Sequence, residues 1–121
     1  MNYIGIDIVE IPRIERAINR WGERFLRRVY TGPELETYRH RTPSLAARFA
    51  GKEAVIKALS TPNLSLSFTD IEILSGADGK PLVKLYGKAQ AQAQRLGLAG
   101  MTITLSHSRE YAIAAAIGEA K

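Results

Sequence analysis

An α+β fold, with a mostly antiparallel sheet packed around one long buried helix, is what the sequence predicts, on three observations. Residues 3–9 alternate in the manner of a strand. Residues 44–59 have helical periodicity but no polar face. Residues 71–86 and 101–117 each read as two β-like runs joined by a turn. The 121 residues suit a single domain over 1–121, with no internal repeat or linker.

The elements follow in chain order. In the first strand Ile4, Ile6 and Ile8 point one way, and Tyr3, Gly5, Asp7 and Val9 the other. Pro12 suits a helix first turn, so residues 12–21 read as a short, Arg-rich helix. Residues 23–30 are ambiguous. Thr31-Gly32 breaks the chain, and residues 33–41 read as another short helix. Thr42-Pro43-Ser44 is a helix start and Thr61-Pro62-Asn63 a stop, which bounds the longest helix. Asp78-Gly79 between residues 71–74 and 82–86 predicts a hairpin. Residues 88–96, rich in Ala and Gln, predict a helix. Residues 101–105 and 111–117 predict two closing strands around 106–110.

Composition sets limits on function. Hydrophobic residues make up 45% of the chain, enough for a core, and charged residues 24%. With no cysteine, disulfides, thiolate nucleophiles and Cys-based metal sites are excluded. An acid interrupts the apolar start, which is not the pattern of a signal peptide. No apolar run approaches the ~18 residues of a membrane span. A cytoplasmic protein with no membrane partner is expected. The net charge of +5 attracts polyanions: nucleic acid, nucleotide phosphates or an acidic protein.

Charge stands out in three places. Asp7 interrupts an apolar strand, where Asp is depleted; buried, it needs a cation or donors, and otherwise its face is solvated. On the long helix, ~100° steps put Leu45, Phe49, Ile56 and Leu59 in one arc, with Lys52 inside it and Arg48 at its edge. Glu53 and Lys57 lie beyond the opposite edge, and alanines fill most of the rest. The expectation is a helix buried nearly all round, with its four charges gathered in one cleft. A plain i,i+4 pair for Glu53–Lys57, and snorkelling for Lys52 and Arg48, are the simpler accounts. The third place is Ser106-His107-Ser108 at a strand end, with His107 on the face of Ile103 and Leu105.

Asp7 and Glu53 suit Mg²⁺, which takes one or two carboxylates and fills its shell with water and substrate phosphate. Arg48, Lys52, Lys57 and His107 are cations for further phosphates. The set points to phosphoryl or pyrophosphate chemistry. There is no P-loop or dinucleotide fingerprint, and the two histidines are not at zinc spacing. No nucleic-acid motif is present, and aromatics do not interleave with the basic residues, so nucleic acid is not expected as a partner.

Three blocks carry a resemblance: Gly5-Ile6-Asp7-Ile8-Val9-Glu10-Ile11-Pro12-Arg13-Ile14, then Arg48-Phe49-Ala50-Gly51-Lys52-Glu53-Ala54-Val55-Ile56-Lys57-Ala58, then Leu105-Ser106-His107-Ser108-Arg109-Glu110-Tyr111-Ala112. Together with the Gly79-Lys80-Pro81 turn, they resemble the bacterial holo-(acyl-carrier-protein) synthases, the small trimeric class of phosphopantetheinyl transferases. The resemblance implies the 4'-phosphopantetheinyl transferase fold and transfer of 4'-phosphopantetheine from coenzyme A to a carrier serine, with release of 3',5'-ADP. It implies that Asp7 and Glu53 hold Mg²⁺, and that Glu53 and Lys57 are catalytic. The general base stays open between Glu53 and a water on the ion. Arg48, Lys52, Ser106, His107, Gly79 and Pro81 become substrate contacts. A homotrimer with active sites between subunits is implied, which suits a small chain with an alanine-rich surface.

The first helix adds a partner. Arg13, Arg16 and Arg20 share a face by spacing, and Arg24 follows. A solvated basic face explains them equally well. Carrier proteins present an acidic helix, and complementary charge steers encounter. The resemblance points to these arginines as the surface that docks an acidic acyl carrier protein. A module of the same fold that binds coenzyme A or carrier without chemistry is the alternative.

Overall fold

The computed structural model describes residues 1–120. The chain runs β1 (Asn2–Glu10), α1 (Ile11–Trp21), α2 (Glu23–Val29), α3 (Gly32–Tyr38) and α4 (Thr42–Leu59). A 3₁₀ turn (Phe68–Asp70), β2 (Ile71–Ser75), β3 (Pro81–Leu85), α5 (Gly87–Arg95), β4 (Leu98–His107) and β5 (Tyr111–Ala120) follow. All strand pairs are antiparallel, in a three-stranded sheet β1-β5-β4 and a hairpin β2-β3. The ambiguous segment is helix α2. Gly22, at φ 54°, supplies the break that separates it from α1. Among the described residues no helix is long and apolar enough to cross a membrane.

Helix α4 crosses the inner face of the three-stranded sheet. Ala46, Ala47, Ala50, Ala54 and Ala58 of the helix and Ala112, Ala114 and Ala116 of β5 are all buried, so small side chains let the backbones approach. Gly5 shows how close they come. A Cβ there would lie 1.8 Å from the Ala54 carbonyl oxygen, closer than any side chain tolerates. Gly51 seats the other side of the helix, where a Cβ would lie 2.7 Å from Ile73 Cδ1 and 2.9 Å from Ile103 Cδ1. Asp7 and Glu53 are thus carried on two elements in backbone contact.

Two expectations are corrected. The alanines of α4 are core, not surface. The apolar surface belongs to β1 instead: Ile4, Ile6 and Ile8 are 64%, 59% and 60% exposed, while Gly5 and Val9 pack inward. Alternation fixes which residues share a face, but the small residues win the inner face because α4 lies so near. Finally, α4 is buried along most of its length, yet its charges are not in one cleft. Arg48 and Lys52 turn toward β2 and α3, and Lys57 turns toward β1.

Candidate active site

On the β1 side, the Lys57 ammonium donates to Asp7 Oδ1 at 2.9 Å and to the Ile6 carbonyl at 3.1 Å. Two of its three N–H donors are used and the third is free for a substrate. Burial raises the Glu53 carboxyl above the usual carboxylate range, and the Asp7 charge raises it further; Lys57 and Arg13 pull the other way. Glu53 therefore feels Asp7, Lys57 and Arg13 together. These four residues form one cluster with two like charges in it. Among the described residues no group of three or more acidic, His or Cys side chains that could hold a metal ion is gathered.

On the β2 side, Tyr38, Arg41, Ser44, Arg48, Ser75, Gly79, Pro81 and His107 line a cleft of about 300 Å³. It gathers four predicted substrate contacts: Arg48, Gly79, Pro81 and His107. Arg48 is nearly buried. It donates from Nε to the Ile73 carbonyl at 2.9 Å, from Nη1 to the Ser44 carbonyl at 3.4 Å and from Nη2 to Ser75 Oγ at 3.3 Å. Its guanidinium carbon lies 3.6 Å from the Tyr38 ring centroid. Burial holds its pKa below the usual arginine value, with Tyr38 and Glu34 opposing. Tyr38, Arg41 and Ser75 went unread in the sequence. They come from segments that join the cleft only through the packing of α3 and β2 against α4, and no local pattern marks them.

Two predicted contacts do not reach this cleft. Lys52 is sealed, 0% exposed, and bonds to Glu34 Oε1 at 2.7 Å and to the carbonyls of Phe68 and Ile71 at 3.0 and 2.6 Å. An ammonium with all three donors spent inside the protein has none for a phosphate. Ser106 precedes His107 and is out of phase with it. Strand alternation puts it on the outer face, in register with Ile113, and it does not line the cleft.

The two sides are separate within one chain. Asp7 is in register with Ala114, and Ala114 with Leu105, so β1 and β4 form opposite edges of the sheet, ~10 Å apart. Arg48 and Glu53 are five residues apart, about 7.5 Å along α4 and ~140° around it.

Arg13, Arg16, Arg20 and Arg24 are all exposed. Arg20 and Arg24 lie 5.0 and 6.0 Å from the ring of half-exposed Trp21. A second cleft, about 490 Å³, opens beside them, lined by Trp21, Arg24, Phe25, Arg28, Val29, Phe49 and Phe68. Phe49 is one helical turn before Glu53, so this basic, aromatic face adjoins the carboxylate cluster.

Comparison with known proteins brings these features under one heading. The family model of the 4'-phosphopantetheinyl transferase superfamily matches residues 3–116. A holo-[acyl-carrier-protein] synthase of Dehalococcoides mccartyi is 54% identical over 119 residues, covering 98% of this chain and 99% of that one. One from Herpetosiphon aurantiacus is 43% identical over 121 residues, covering 94% and 95%. Among solved structures, the Helicobacter pylori holo-[acyl-carrier-protein] synthase in complex with coenzyme A superposes at TM-score 0.84. It is 33% identical and covers 96% of this chain and 99% of that one. The Neisseria meningitidis enzyme superposes at 0.86 with 34% identity, covering 98% and 99%.

Proposed function

The chain belongs to the 4'-phosphopantetheinyl transferase superfamily, among its holo-[acyl-carrier-protein] synthases, and from that membership we propose how it works. It moves 4'-phosphopantetheine from coenzyme A to a serine of apo acyl carrier protein. The serine oxygen bonds to the pantetheine-linked phosphorus, the diphosphate bridge breaks, 3',5'-ADP leaves, and the serine proton passes to a base. The observation that carries this reading is the cluster of Asp7, Glu53 and Lys57. It has two carboxylates, with the charge of Asp7 acting on the buried Glu53, and a lysine with a donor to spare.

That donor set fits Mg²⁺. Two carboxylates with no third acid suit a hard cation that fills its shell from water and phosphate, and a cation offsets the burial and the Asp7 charge that raise Glu53. When bound, Mg²⁺ neutralises charge on the diphosphate. Lys57 aims its free N–H at a diphosphate beside Asp7, where a fixed donor stabilises growing charge. The serine proton would pass to Glu53 or to a water on the ion. Arg48 and His107 of the β2-side cleft take the nucleotide phosphates of coenzyme A, and Gly79 and Pro81 form its wall. The arginines of α1 dock the acidic carrier, and Arg13 leads from that surface to Glu53.

The carboxylate edge and the nucleotide cleft become one site across a homotrimer interface. The outward face of β1, β5 and β4 supports this. Ile8 is in register with Ile113 and Ile4 with Ile117, and these four isoleucines are exposed together. Unpartnered apolar patches of this kind mark interfaces.

Mass spectrometry tests the activity. Apo carrier incubated with coenzyme A, Mg²⁺ and this chain gains the phosphopantetheine mass, and chelation stops the gain. Asp7→Ala and Glu53→Ala fold but give no gain; full activity in both removes the metal assignment. Light scattering gives a three-chain mass. Mixed trimers of inactive Asp7→Ala and His107→Ala chains regain activity, and failure to do so refutes the shared site. Arg13→Glu or Arg20→Glu raises the carrier KM more than the coenzyme A KM, and equal effects on both move the docking surface elsewhere.

A further inference from the structure

Glu34 and Lys52 are both fully buried, and their groups are fully satisfied. Lys52 spends its three donors on Glu34 Oε1 and the Phe68 and Ile71 carbonyls. Burial lowers its pKa, and Glu34 opposes that shift. Three acceptors around one nitrogen require the ammonium form. Glu34 accepts from the Thr31 N–H at 2.8 Å on Oε1 and from the Ile73 N–H at 2.7 Å on Oε2. Such a pair is weak evidence for stability, because an apolar pair of similar volume often serves as well. What it supplies is geometry.

That geometry ends at Arg48. The Asp70 carbonyl bonds to the Tyr86 N–H, and the Gly76 N–H to the Lys80 carbonyl, so even-numbered residues of β2 face β3. Ile71 and Ile73 therefore present their peptide groups on the free edge of β2. Buried charges take them up: Lys52 holds the Ile71 carbonyl, Glu34 the Ile73 N–H and Arg48 the Ile73 carbonyl. Of the five N–H donors of Arg48, three are engaged within the protein, and one each on Nη1 and Nη2 remains. Two such donors match two oxygens of one phosphate. Nearly buried, Arg48 cannot search for that phosphate; its aim is set by where the Ile73 carbonyl and Ser75 hydroxyl stand.

We infer that Glu34, fixed by Lys52, is a positioning residue for the nucleotide subsite: by gripping the Ile73 N–H it holds the β2 edge so that Arg48 presents its two free donors to a phosphate of coenzyme A. This rests on the reading of the β2-side cleft, which Arg48 and His107 line, as the nucleotide site. Lys52 acts through Glu34 and touches no substrate.

Two opposed substitutions test it. Glu34→Asp keeps the charge beside Lys52 but is one methylene too short to reach Ile73. Glu34→Gln keeps the reach but loses the charge, so it is the less stable of the two. The readouts are the Kd of 3',5'-ADP by calorimetry, the KM values of coenzyme A and carrier, and the urea midpoint. Glu34→Asp weakens 3',5'-ADP and raises the coenzyme A KM ~10-fold, the order of effect expected of a misplaced contact. Its carrier KM moves less than about twofold, since the carboxylate cluster lies on another edge. Glu34→Gln, with a lower midpoint, binds 3',5'-ADP nearly as the parent does. Affinity that follows the urea midpoint across the two variants, or parental affinity in Glu34→Asp, overturns the inference. If one variant fails to fold, the other decides: affinity lost in Glu34→Asp or kept in Glu34→Gln supports it, and the reverse refutes it. Arg48→Ala separates the two levels. Parental 3',5'-ADP affinity in that variant sinks the nucleotide reading itself, whereas weakened binding there with parental binding in Glu34→Asp sinks only the positioning role.

Discussion

Lys52 and Lys57 sit five residues apart on α4, and each pairs with a carboxylate, yet they belong to different kinds of structure. Lys52 is 0% exposed, and every donor is spent on a fixed acceptor. Lys57 is 54% exposed, uses two donors on Asp7 and Ile6, and keeps one. The difference shows how a helix without a polar face uses its charges. A completely paired charge ties elements together, and an incompletely paired one at a cleft is available for chemistry.

The sharpest way to break this contrast is to make the same change at both positions. Lys52→Met leaves the Glu34 carboxylate buried without its cation and costs about 3–5 kcal/mol of stability, read from the urea midpoint. Lys57→Met costs less than Lys52→Met, because Lys57 is 54% exposed and its loss leaves an Asp7 carboxylate that still reaches water at 16% exposure. It lowers kcat ~10²–10³-fold, the usual consequence of removing a preorganised donor. A large stability loss in Lys57→Met, or none in Lys52→Met, ends the distinction.

A smaller effect tests whether the Lys57 side depends on backbone contact. Gly5→Ala drives a methyl into the Ala54 carbonyl, so β1 must lift from α4. The cost is about 1–3 kcal/mol, together with weaker Mg²⁺ binding by calorimetry. Unchanged Mg²⁺ affinity would show that Asp7 does not need this contact.

The smallest effect is a titration. Burial first, and the Asp7 charge second, raise the Glu53 carboxyl above its ordinary range. The folded chain then binds that proton more tightly than the unfolded chain. The resulting stability is fully present below the unfolded pKa and is lost as pH rises through the raised folded value. Asp7→Asn removes the second cause alone, so in metal-free protein the Glu53 carboxyl signal titrates lower, though not fully to the ordinary range. A Glu53 titration that does not move would mean the two carboxylates are too far apart to share an ion.

The sequence made much of this legible because several signals are local. Alternation over residues 3–9, the Pro43 start and Asn63 stop of the long helix, and Asp78-Gly79 in a turn with Gly79 at φ 82° each act within a few residues. Asp7, Glu53 and Lys57 were identifiable as charges in apolar surroundings. The fate of Lys52 was not, because its partner lies 18 residues away. Thr31-Gly32-Pro33-Glu34 carries the spacing of a capping box, and the structure forms one, with Glu34 at N3. That pattern could have marked Glu34 as fixed at a helix start, though not as buried. The inward choice between the two faces of β1 was equally non-local, since it depends on the alanines of α4 and β5. Strict alternation from His107 already puts Ser106 on the other face of β4, in register with Ile113.

The pairing of β1 with β5 has a consequence for how the molecule comes into being. Asp7 is in register with Ala114, more than a hundred residues downstream. At typical translation rates of about 5–20 residues per second, β1 waits roughly 5–20 s on the ribosome before its neighbour exists. During that wait its isoleucine ridge and both of its edges lie open to other nascent chains, with only α4 to lean on. Closing so long a loop is also slow. The isoleucine ridge of β1 is therefore uncovered for longest before β5 is made.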